Sequence, residues 1–192
     1  MRRLTIGVAA AASLLLTALA LTACLPEDQA PVTQTTSAIS PTPSPTPPPT
    51  PTAVPVALPT DCRAMLSPAV LLQLSGVPLN DPAFGEGTGV QSDGSLICIW
   101  ADPAADTTSL WTQVSRTDTA TAATTLGGLR TNGYGCYASQ GGTRCEKTWQ
   151  DKRYPVADGR TWFWRDDIVI DTNYSNLAPD GYTASIVTHL FG

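Results

Sequence analysis

Histidine occurs once in these 192 residues, as His189, and that scarcity removes most common catalytic designs. A Ser-His-Asp site would need His189 as its base. It sits instead near the end of a segment with helical periodicity, where a histidine interacts favourably with the helix dipole. G-x-S-x-G, H-E-x-x-H and Walker sequences are absent, which excludes those hydrolase, metalloprotease and nucleotide-binding sites. No C-x-x-C pair exists, so the usual zinc spacing is missing too. Charge is sparse, at 14% of residues, and basic residues number 11 against 16 acidic ones. A chain without a basic excess has no footprint for neutralising phosphates, which excludes nucleic acid as a partner. An anionic membrane would repel it weakly, so charge cannot anchor it there. No catalytic residues, metal ligands or cofactor are expected from this inventory.

What is present begins with an address. Met1-Arg2-Arg3 is a short positive start, Leu4 to Leu21 is uncharged and almost wholly apolar or small, and Thr22-Ala23-Cys24 follows. Such an arrangement reads as a secretory signal. Leu21-Thr22-Ala23-Cys24 resembles the bacterial lipobox. That resemblance implies a diacylglyceryl group on the Cys24 thiol, cleavage before Cys24, and palmitate-type acylation of the lipoprotein. The alternative is an uncleaved apolar span, since the run is about long enough to cross a bilayer. With residues 1–23 removed, nine basic residues remain against sixteen acidic ones, a formal charge of about −7. Each buried methylene contributes ~0.8 kcal/mol, and two chains hold where one does so marginally. The expected location is the extracytoplasmic face of the cell membrane, with the membrane itself as partner through Cys24.

Residues 24–60 read as a lipidated cysteine followed by a tether. Eleven of the seventeen prolines lie between Leu25 and Thr60, and residues 40–52 are almost entirely Pro, Thr and Ser. Proline fixes φ and lacks the amide donor, so helix and sheet cannot propagate and polyproline II is favoured. Fully extended at ~3.1 Å per residue, the segment reaches on the order of 100 Å. Alternating Thr and Pro also resembles O-glycosylated stalks.

Residues 61–192 are long enough for one core. They contain Cys62, Cys98, Cys136 and Cys145, which in an exported domain imply two disulfides. Gln140-Gly141, as a two-residue turn, sets Cys136 opposite Cys145. Cys62 then pairs with Cys98. Chain entropy gives a few kcal/mol for each bridge, more for the longer loop. Ser67 and Pro68 predict a helix start that Gly76 ends. Asn80 to Gly94, including the superficially phosphate-loop-like Gly85-Glu86-Gly87-Thr88-Gly89, reads as a loop. Strands are expected over Leu96–Trp100 and Leu110–Ser115, a helix from the cap Asp118 to about Arg130, then the cystine hairpin. Arg160–Arg165 and Ile168–Tyr174 form a second hairpin about Asp166-Asp167, and Pro179 opens a closing helix. The fold class is therefore α+β, an antiparallel sheet flanked by N- and C-terminal helices with two disulfides.

Cys62-Arg63-Ala64-Met65-Leu66-Ser67-Pro68, Leu74-Ser75-Gly76 and Cys98-Ile99-Trp100 resemble a C-x-x-x-L … C-x-W domain of small actinobacterial lipoproteins, whose lipobox and Thr/Pro linker are similar as well. The resemblance implies a Cys62–Cys98 bridge, a location and a fold, but no transferable catalytic residues. Cys136 and Cys145 have no counterpart in it.

One stretch carries candidate chemistry. Arg144, Lys147, Lys152, Arg153, Arg160 and Arg165 are interleaved with Trp149, Tyr154, Trp162 and Trp164. Strand alternation puts Arg160, Trp162 and Trp164 on one face and Thr161, Phe163 and Arg165 on the other. If accessible, indoles beside a guanidinium suit a sugar or an anionic wall polymer; if covered by helices, they are core. The leading expectation is a non-enzymatic binding or interaction domain whose partner is a cell-wall polymer or an envelope protein. The alternatives are a hydrolase acting on cell-wall material, which needs an open cleft with convergent carboxylates, and a sensor or ligand carrier, which needs an enclosed apolar pocket.

Overall fold

The computed structural model describes residues 55–85 and 87–192; the leader, Cys24 and the tether to residue 54 lie outside them. The first helix, α1 (Pro68–Gln73), starts where the sequence places it. Ser67 Oγ accepts from the Val70 amide at 3.4 Å, and Pro68 fills the first position, where no amide donor is needed. The second helix, α2 (Thr119–Thr131), is capped by the Asp118 carboxylate, which accepts from the Thr121 amide at 2.9 Å and the Thr121 hydroxyl at 2.6 Å.

Seven strands form one antiparallel sheet: β1 (Gly89–Val90), β2 (Leu96–Ala101), β3 (Ser109–Arg116), β4 (Gly135–Ser139), β5 (Gly142–Gln150), β6 (Ala157–Arg165) and β7 (Ile168–Ser175). Their order is β1-β2-β3-β7-β6-β5-β4. After β3 the chain crosses through α2 to the far edge and returns strand by strand until β7 slots against β3. That crossing obliges α2 to lie over one face. The third helix, α3 (Tyr182–Phe191), and α1 cover the other.

Alternation decides the two cores. Leu110, Thr112 and Val114 of β3 are buried towards α1 and α3, with Cys98 and Trp100 of β2, Phe163 of β6 and Ile168 and Ile170 of β7. Val70 of α1 with its flanking Met65 and Leu74, and Ile186 and Val187 of α3, close that core. A smaller one joins Ala122, Leu126 and Leu129 of α2 to Cys145, Trp162 and Val169. Both expected disulfides are present. Cys62–Cys98 ties the turn before α1 to β2, and Cys136–Cys145 is a directly opposed cross-strand pair. The Gln140-Gly141 turn has φ of 46° and 76°, the twist that matches right-handed strands.

Three details differ from expectation. The closing helix begins at Tyr182, not at Pro179, because the Tyr182 amide folds back to the Pro179 carbonyl and Gly181 takes a left-handed φ of 77°. The 80–94 segment is not all loop: it contains a 3-10 turn at Pro82–Phe84 and the short β1. Packing also starts before Asp61, since Val56 and Leu58 lie against the main core and the Arg116 guanidinium donates to the Val56 carbonyl. Among the described residues, no helix is long and apolar enough to cross a membrane.

Candidate functional site

The face proposed for Arg160, Trp162 and Trp164 is split by α2. Trp162 is only 4% exposed, packed beneath Ala122, Leu126 and Leu129, and Trp164 is half-buried against the same cluster with its indole N–H buried and unpartnered. A sugar cannot stack on the Trp162 ring. For Trp162 the covered alternative holds: alternation sorted the faces rightly, and the helix that crosses from β3 to β4 lies over its ring. Arg160 emerges just beyond α2. It donates to both Asp171 oxygens, at 2.8 and 2.6 Å, and this carboxylate raises its pKa further above the ordinary guanidinium value. The remaining basic residues also disperse. Arg165 lies over the Phe191 ring at 4.3 Å, and Lys147 over Tyr134 at 5.7 Å while donating to the Asn132 carbonyl.

A concave site lies on the opposite face. α1 and α3 reach across β2, β3, β7 and β6, but the sheet continues to β5 and β4. Where the start of α3 meets the overhanging β5, a cleft of about 340 Å³ opens, lined among others by Arg144, Glu146, Thr148, Thr161, Tyr174 and Thr183. Glu146 accepts from the Tyr137 hydroxyl at 2.8 Å and from Arg144 Nε at 2.9 Å, which fixes both charges. Burial and the Glu146 bond raise the Tyr137 pKa, so it stays a donor at neutral pH. The Tyr174 and Thr148 hydroxyls are 2.9 Å apart. This arrangement depends on Gly159: a β-carbon there would meet the Tyr174 ring at 2.2 Å. Glycine therefore lets the phenol lie across the β6 backbone.

The cleft wall continues through Asp180, Gly181 and Tyr182. Gly181 provides no side-chain cap for α3, and the Tyr182 amide is satisfied instead by the Pro179 carbonyl. Tyr182 is buried, and its hydroxyl lies near Thr112 and Trp100 without a hydrogen-bond partner. Burial pushes its pKa up to about 12. Thr161 and Thr183 are buried as residues yet border the cleft. The sequence offered little sign of this site, because its residues come from β5, β6, β7 and α3 and meet only through the strand order.

His189 is exposed on the last turn of α3, at the end opposite the cleft. Asp166 and Asp167 form the β6–β7 turn, Asp166 with φ of 55°, and Asp167 is paired with Arg116. Among the described residues, no three His, Cys, Asp or Glu side chains converge as metal ligands. No described protein family, curated protein or solved structure matches this chain.

Proposed function

We propose that this chain is a lipid-anchored envelope protein whose domain is a non-enzymatic binding module. In this reading Cys24 carries the acyl chains and the Pro/Thr-rich segment spaces the domain from the membrane. The cleft takes a small, hydroxyl-rich ligand. The supporting observation is the cleft itself. Its volume, about 340 Å³, falls within the ~300–1,000 Å³ of small-molecule sites, and its polar lining is positioned by internal hydrogen bonds before any ligand arrives. Glu146 supports binding over hydrolysis, since it already accepts from Tyr137 and Arg144. Two disulfides fit an oxidising compartment. The lipobox and the actinobacterial lipoprotein resemblance agree with that location.

The ligand class is tested by NMR titration of the isotope-labelled protein with N-acetylglucosamine, its disaccharide and a muropeptide. Shifts centred on Thr161, Tyr174 and Thr183 are expected with at least one of these. A spectrum unmoved by all three at millimolar concentration overturns the ligand class. Anchoring is tested by fractionation: Cys24→Ala should move the protein out of the membrane fraction, and unchanged membrane association would reject the acyl anchor.

A further inference from the structure

On the α2 side, the rows of the sheet beyond the helix are only partly buried. Arg160, Asn173, Trp111 and Ile99 are register partners across β6, β7, β3 and β2, so their side chains share one face. The neighbouring row holds Trp149, Asp158 and Ser175. Trp149 is 40% exposed, and the others in these rows are half-buried, not sealed. Three strand spacings and two residues separate the tryptophans, about 16 Å between their backbones. The Arg160 guanidinium, the Lys147 ammonium, an amide, a carboxylate and a hydroxyl lie between them.

We propose that this face binds a strand of cell-wall polysaccharide, with Trp111 and Trp149 stacking on sugar rings and Asn173 and Asp158 bonding to their hydroxyls. Indole offers a broad apolar face to the C–H side of a pyranose. Alternating polar groups answer the hydroxyls, which a purely apolar protein interface would leave unpaired. A surface this flat and long suits a polymer better than a small molecule.

Two observations select the occupant. Arg160 is paired with Asp171, and Lys147, its register partner on β5, is held by the Asn132 carbonyl and the Tyr134 ring, so neither cation is aimed at lipid headgroups and the face complements a neutral glycan. The chain also enters the domain at the opposite end of the sheet, where Arg116 holds the Val56 carbonyl. Along β6, Asp158 stands about 25 Å from that end. The chain therefore enters the domain far from Trp149 and leaves this face clear for a partner.

The choice of a wall polymer rests on the envelope reading above. The test is cosedimentation of the full-length protein, in detergent, with wall sacculi stripped of protein but retaining their attached polysaccharides. Vesicles of phosphatidylglycerol form a second arm. Wild type should sediment with sacculi, and Trp149→Ala and Asn173→Ala should each weaken binding about ten-fold, the loss typical of an anchoring contact. Leu72→Ala, on α1 and 75% exposed, should bind like wild type. Near-UV circular dichroism checks that the variants remain folded, and Trp149 lies at a strand end where truncation leaves the core intact. The proposal is overturned if wild type stays in the supernatant, if both platform variants bind as wild type does, or if Trp149-dependent binding goes to the vesicles. An acylated protein that ignores sacculi overturns this proposal alone; an unacylated Cys24 overturns the envelope reading.

Discussion

Removing the two disulfides one at a time should cost unequal amounts, and the order follows from loop length. Cys62 and Cys98 are 36 residues apart and Cys136 and Cys145 are nine apart. Chain entropy then assigns about 4 kcal/mol to the first bridge and about 2.5 kcal/mol to the second. Packing adds to the inequality. Cys62 and Cys98 are both buried in the main core, whereas Cys136 is half-buried at an edge strand. The paired variants Cys62→Ala/Cys98→Ala and Cys136→Ala/Cys145→Ala would be unfolded in urea and compared with the oxidised parent. With a slope of about 2 kcal/mol per M, the midpoints should fall by about 2 M and about 1.2 M. Equal losses, or a larger loss from the hairpin pair, would refute the argument. Loop closure would then not be the main source of stabilisation.

Three other perturbations follow from the same geometry. Gly159→Ala forces the Tyr174 ring aside, so it should cost about 1–3 kcal/mol by overpacking and alter the Tyr174 and Thr148 resonances; an unchanged melting curve and spectrum would contradict the close approach. Tyr182, raised from 10.0 to about 12 by burial, stabilises the fold fully below pH 10 and loses that contribution as pH rises towards 12. Absorbance at 295 nm should show one of the five tyrosines ionising only with unfolding, and Tyr182→Phe, which removes an unpartnered buried hydroxyl, should change stability by less than about 1 kcal/mol. Asp118 is held below its ordinary pKa of 3.8 by the Thr121 hydroxyl and amide, so its cap stabilises above that value and is lost as pH falls through the depressed one; Asp118→Ala should flatten the acid limb of stability against pH, and an unaltered limb would reject the cap's role.

What was legible in the sequence was local. Ser67-Pro68, Asp118 and Gln140-Gly141 each specify their element through a contact no more than a few residues away. The Cys136–Cys145 bridge followed from the turn alone. Alternation also sorted Arg160, Trp162 and Trp164 from Thr161, Phe163 and Arg165 correctly. It could not say which face a helix would cover. That depends on β7 pairing with β3, whose partners Leu110 and Tyr174 are distant in the chain, and on the crossing of α2 that this order requires. Arg160 and Trp162 thus lie on one face in different surroundings. Trp111 carried a readable signal, an outward tryptophan between inward Leu110 and Thr112, yet its nearness to Arg160 appears only when β3, β7 and β6 are aligned. The cleft was least legible, being the gap left where two helices stop short of a wider sheet.

Intact-mass analysis of the protein isolated from its native membrane tests the central claim most directly. The account predicts a chain starting at Cys24, heavier by a diacylglyceryl group, with all four remaining cysteines oxidised. A species retaining residues 1–23, free of lipid and with four reactive thiols, would contradict it.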